Sequence, residues 1–148
     1  MGPDEFFAIH SRKRLDFEFD RLDLRSIYME WVVNACQLII GLSLLSVWLL
    51  RSEKPTMWRG GNAKNMREEF AVYGLSPGFM KMVGFLKVSL GLCLIIGLWV
   101  PSITRPAAIG VAALMLGAVA MHVKVKDPLR SSLPAFTLLV LAIVVAIH

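Results

Sequence analysis

Lys87 interrupts a long apolar run, in the stretch GFLKVSLG. The eight residues that separate it from Phe79 amount to a depth of about 12 Å at the 1.5 Å rise of a helix, near the middle of a bilayer's hydrocarbon. Its stem of roughly 6 Å lets the ammonium climb partway to the surface, which explains the residue without a function. The other reading is an ammonium held inside a helix bundle by an acceptor at the same height, either Gln37 or a bound ligand with a carbonyl or an anion. A lysine of that kind is a candidate acid, base or ligand anchor.

His122 ends the third apolar run on the side of the longest loop. A lone histidine there suits the helix dipole as a C-terminal cap. With Lys87, Gln37, Trp58, Arg59 and Glu69 it also makes a set of ligand-binding candidates, grouped by depth around a pocket that opens at one membrane face. Such donors suit a proton-coupled quinone site. No complete catalytic constellation can be read, so the chain is not expected to be an enzyme on its own. Cys36 and Cys93 each stand alone in an apolar run, with no metal-ligand spacing. They read as small packing residues, although similar depth in antiparallel neighbours leaves a disulfide geometrically open. His10 and His148 lie at the chain ends, so haem ligation lacks its residues. The residues call for no metal and no resident cofactor, quinone being the ligand they would suit.

These side chains need a frame, and the composition indicates which. Of 148 residues 56% are hydrophobic and 18% charged, and the mean hydropathy is +0.62, far into the range of membrane proteins. Residues 31–50 carry no charge, and about 20 apolar residues span a bilayer. The expected fold is all-α: an integral membrane four-helix bundle over residues 30–148, with spans at about 30–50, 79–100, 106–123 and 131–148. Residues 1–29 form an N-terminal interfacial arm. Turn signals at 75–78, at Pro101 and Pro106, and at Asp127 and Pro128 separate the spans. The start MGPDEFFAIHSRKR has no apolar core of a signal peptide, so the first run reads as an internal anchor.

Residues 15–24 read LDFEFDRLDL, an alternation of period two that suits an extended segment or strand, lying at the interface or docked on another subunit. In the loop 51–78, Met66, Phe70 and Tyr73 recur at helical spacing and predict a short amphipathic helix at the membrane surface. Gly60 and Gly61 there read as a turn. In the first span Asn34 and Gln37 share a face with Glu30 and Gly41 and read as interhelical hydrogen-bonding groups, while Gly110, Ala113 and Gly117 read as a small-residue face for helix packing. Nine Lys and Arg flank the spans on the side of the loops 1–2 and 3–4, against six on the side of the termini, which leans those loops toward the cytoplasm. The net charge of +5 lies beside membrane spans and points to lipid contact, not to nucleic acid.

Four stretches carry a resemblance: NAKNMREEF, PGFMKMVGFLKVSLGLCLIIGLW, RPAAIGVAALMLGAVAMHVKVKDP and SLPAFTLLVLAIV. Their order resembles the DoxX-like family of small four-helix membrane proteins, over the later two thirds of the chain and more loosely in the first helix. His122, Lys124, Asp127 and Pro134 match family-like positions, whereas Lys87 stands where the family pattern often has an acidic residue. The resemblance implies an accessory or anchoring subunit of a redox-associated complex in a bacterial inner membrane, since members include a component of a quinone-reducing thiosulfate oxidoreductase. The partners implied are membrane lipids and other membrane subunits or a second copy. A purely structural subunit and, less in keeping with four short spans, a small transporter component are the alternatives.

Overall fold

The structure, a computed structural model, describes the backbone from Pro3 to His148, with side chains at Arg21 and from Asp23 onward. Helix α1 covers Pro3–Leu45 and runs into a π turn at Ser46–Leu50. A 3-10 turn at Gly60–Asn62 and helix α2, Met66–Val72, occupy the first loop; α3 is Pro77–Ile96. A 3-10 turn at Pro101–Ile103 leads into α4, Thr104–Lys124, and α5 is Leu129–Ile147. No strand occurs among the described residues.

Four segments are long and apolar enough to cross a membrane: Asp23–Leu50, Pro77–Ile96, Pro101–Lys124 and Leu129–Ile147. The third starts earlier than the prolines suggest. Pro101 opens a 3-10 turn and Pro106 falls in the first turn of α4, where the missing N–H has no intrahelical acceptor to lose. Large apolar side chains face outward along these helices, Phe85 at 73% exposure among them. Lipid tails, as apolar as leucine, are the solvent that such surface suits.

The alternating segment 15–24 does not form a strand; its backbone belongs to α1. A lone strand has no partner for its N–H and C=O groups, whereas a helix satisfies them internally, and no glycine or proline interrupts residues 4–40. The side chains of that alternation, apart from those of Arg21, Asp23 and Leu24, lie outside the described residues. The chain divides into two units, Met1–Val33 and Asn34–His148. The polar side chains and the cavity of the candidate site belong to the second.

Within it α1 and α3 meet at glycine. A Cβ at Gly41 would stand 2.9 Å from the carbonyl oxygen of Gly91 and 2.6 Å from Ile95 Cγ1. A cluster of Met66, Phe70 and Val83, with Trp48, Leu75 and Met80 packed on it, fastens α2 to α3. This fulfils the helical spacing of Met66, Phe70 and Tyr73, all three of which are buried.

Candidate functional site

Two helix ends turn back in the same way and bring the polar side chains together. Helix α2 is started by Asn65, whose side chain accepts from the Glu68 amide at 2.9 Å. At its end Gly74, with φ 76°, lets the Leu75 amide reach back to the Phe70 carbonyl at 2.9 Å. Helix α4 ends likewise: Lys126 adopts φ 58°, and the Asp127 amide donates to the His122 carbonyl at 3.0 Å. That reversal lays the Asp127 side chain on the imidazole five residues before it. The Lys124 ammonium donates at 3.3 Å to the carbonyl of Tyr73, the residue that caps the other helix.

Arg59 anchors the loop. Its Nε donates to Lys54 O at 3.0 Å, and Nη2 donates to Arg51 O at 2.7 Å and Ser52 O at 2.9 Å. Nη1 meets Glu69 Oε2 at 2.9 Å and Met66 Sδ at 3.6 Å. The Arg59 side chain is 5% exposed and that of Glu69 12%. Glu69 Oε1 accepts from the Gly60 amide at 3.0 Å and from the Tyr73 hydroxyl at 3.1 Å.

The chain of contacts continues from Tyr73 Oη to His122 Nδ1 at 3.2 Å, and from Nδ1 to Asp127 Oδ2 at 2.8 Å. Asp127 Oδ1 accepts from the Gly61 amide at 2.9 Å. The shorter distance and the negative acceptor make Nδ1–H donate to Asp127, and the single Tyr73 proton then goes to Glu69. Burial, with the carboxylates of Glu69 and Asp127 adding to it, pushes the Tyr73 hydroxyl well up, so that it stays a donor. Gly60 and Gly61 bring the backbone against these groups. A Cβ at Gly60 would run into Tyr73 Oη and Asp127 Oδ2, and Gly61 holds φ 59°. They form a turn, and the turn also supplies two amide donors.

This polar network closes one end of a cavity of about 320 Å³. Its walls are otherwise mostly apolar, with Leu44 from the end of α1, Val47 and Trp48 from the π turn, Phe70 from α2, Val83 from α3, Met115 and Met121 from α4, and Pro134 and Leu138 from α5; Arg51, Thr56 and Ser131 add polar lining. The cavity extends to Lys87 at the middle of α3. Its ammonium stands 5.7 Å from the centroid of Trp48, and it has no hydrogen bond or ion pair among the described residues. Trp48 sits in the π turn, meets Phe70 edge-on at 6.1 Å, and crosses α3 where Gly84 leaves room for the indole.

The ligand-binding residues proposed from sequence divide in two. Lys87, His122, Trp58, Arg59 and Glu69 all line this cavity, with Trp58 held under Arg130 at 5.8 Å. Gln37 is elsewhere: its amide oxygen accepts from the Thr104 hydroxyl at 3.4 Å, and Thr104 also reaches the Gly97 carbonyl at 3.3 Å. The acceptor at Lys87's height is therefore not Gln37. Of the small-residue face, Gly110 packs under Leu90, 2.9 Å from an added Cβ. Gly117 departs from the packing expectation, because an added Cβ there would meet nothing within 4 Å; it and Ala113 line the cavity. Both cysteines are free thiols. Tyr73 and Asp127 were not singled out as site residues from sequence. Tyr73 entered only through its helical spacing and Asp127 only through the resemblance, and the order HVKVKDP, a histidine one helix-ending turn before an aspartate, is the local signal that could have joined the latter to His122.

No curated protein and no solved structure gives a match. A family model described as the DoxX-like family matches residues 57–147, which includes Arg59, Glu69, Tyr73, His122 and Asp127 of the network, Lys87 and all of α3 and α4. That match covers more than half of the sequence, and the chain belongs to the DoxX-like family.

Proposed function

We propose that this protein holds the head of a lipophilic carbonyl compound, a quinone, in the cavity at Lys87, and serves as an accessory or anchoring subunit of a membrane redox complex. The observation that carries this reading is Lys87: a cation on a membrane-spanning helix, lining an apolar cavity, without a hydrogen-bonding partner of its own among the described residues. A carbonyl or an anion is the group it lacks. About 320 Å³ stands at the low end of small-molecule sites, which run from roughly 300 to 1,000 Å³, and suits a ring-sized head whose tail continues into lipid. The complex would sit in a bacterial inner membrane with the loops 51–76 and 125–128 on the cytoplasmic side, contacting lipid and further membrane subunits or a second copy. A purely structural subunit would have no use for such a cavity.

The test is purification in mild detergent from native membranes, with mass spectrometry of co-eluting proteins and lipids. Quinone is expected near one per chain, together with a redox subunit. Lys87→Met removes a hydrogen bond from a charged donor, about 1.5–3 kcal/mol, so quinone affinity should fall by about 10- to 150-fold. Equal retention by the Lys87→Met protein would refute the site, and a stoichiometric partner without quinone would favour the structural subunit.

A further inference from the structure

The buried Asp127–His122 pair stands at the cavity wall and needs an explanation beyond holding a ligand. His122 Nδ1–H donates to Asp127 Oδ2 at 2.8 Å, so in the neutral ring the lone pair is on Nε2. Among the described residues Nε2 has only Tyr73 Oη near it, at 3.5 Å, and that hydroxyl gives its proton to Glu69. In its neutral form His122 is thus an imidazole with one nitrogen fixed by a carboxylate and a lone pair on the other, and its side chain lines the same cavity as Lys87.

We propose that His122 takes a proton from an aromatic hydroxyl bound in the cavity, with Asp127 positioning the imidazole and Lys87 holding the oxyanion that results. The inference rests on the cavity being a ligand site, and it names the ligand class: a phenol or quinol, the hydroxyl form of a quinone. The ligand O–H bond breaks, its proton joins Nε2, and the bonding electron pair remains on oxygen. A neutral pair becomes an imidazolium beside Asp127 and an oxyanion beside the Lys87 ammonium, so each new charge has an opposite one waiting for it. The groups that touch His122 or share the cavity wall with it fit this. Asp127 comes from the turn after α4, and Tyr73 and Glu69 come from the α2 side, Glu69 already neutralised by Arg59. Lys87 comes from α3, while α5 contributes the uncharged Ser131 to the wall. Lys124, on the same helix as His122, is turned to the Tyr73 carbonyl.

The experiment uses the full chain in lipid nanodiscs and, as probe, a 4-nitrophenol bearing an octyl chain, whose visible absorption reports its ionisation. A pH indicator in weakly buffered solution counts the protons released. On wild type the bound probe is expected to ionise about one pH unit below its midpoint in empty nanodiscs, as a nearby opposite charge produces. Added at a fixed pH below its midpoint in empty nanodiscs, the probe should ionise on binding without releasing a proton to solution, because His122 takes it. In His122→Gln each ionised probe should release one proton. In Asp127→Asn and Lys87→Met the probe should still bind, with its midpoint moved back toward the lipid value. Should the probe bind while midpoint and proton release are the same in all four proteins, the proton-transfer inference is overturned and the ligand site stands. Absence of binding to wild type overturns both.

Discussion

Replacing Arg59 by lysine keeps the charge and removes the planar fork. The five N–H groups of Arg59 face the carbonyls of Arg51, Ser52 and Lys54, the Glu69 carboxylate and the Met66 sulfur. A lysine ammonium offers three donors from one point and cannot keep Glu69 together with carbonyls on both sides of it. If two carbonyl bonds are lost at about 1–1.5 kcal/mol each, Arg59→Lys should cost about 2–3 kcal/mol. Arg59→Met also leaves the Glu69 carboxylate without its counter-ion at 12% exposure, and breaking a buried pair costs about 3–5 kcal/mol. The three carbonyls sit in a surface loop and can recover water, which places the methionine variant near 4 kcal/mol. Unfolding by sodium dodecyl sulfate in mixed micelles, followed by tryptophan fluorescence, measures both. Adding Glu69→Gln to Arg59→Met should recover part of the loss, because the charge that was stranded is gone. An Arg59→Met cost below 1 kcal/mol, or equal costs for lysine and methionine, would refute the view that this fork holds the loop.

Gly117→Leu should leave the unfolding transition within about 1 kcal/mol of wild type, since an added side chain meets nothing at its base, yet abolish quinone co-purification by filling the cavity. Gly84→Val should push the indole of Trp48 off α3 and shift the tryptophan emission, while the same change at Gly78, where only Ser76 Oγ lies within 4 Å, should not. The Tyr73 hydroxyl is held above its unfolded value near 10, so its contribution to stability is fully present below about pH 10 and is lost as pH rises beyond. Between pH 9 and 11 the unfolding midpoint of wild type should therefore fall more steeply than that of Tyr73→Phe; parallel slopes would contradict the buried phenol.

The spans were legible because hydropathy is a property of composition, and α2 because Met66, Phe70 and Tyr73 needed only helical spacing. Lys87 was legible by depth alone. Its neighbour was not, because Trp48 reaches it through a π turn and a gap at Gly84, neither of which follows from apolar patterning. The Tyr73–His122–Asp127 set was hidden for a similar reason. It depends on a left-handed residue, Lys126, reversing the end of α4, and on amides of Gly60 and Gly61 that look like an ordinary turn. The alternation at 15–24 misled, since local period two cannot supply the second strand that it requires. Gly117 misled because small residues that admit a neighbouring helix and small residues that admit a ligand are written with the same letters.

The loop network also imposes an order on biogenesis. Arg59 and Glu69 are ten residues apart and can pair as soon as the first loop has left the ribosome. Gly61 must wait for Asp127, 66 residues downstream. At roughly 5–20 residues per second, Gly61 waits about 3–13 s for its acceptor. Through that interval the Gly61 amide has only water or an insertion factor to meet it, while the Tyr73 hydroxyl already has Glu69. The arrival of the fourth helix behind Asp127 seals that face last.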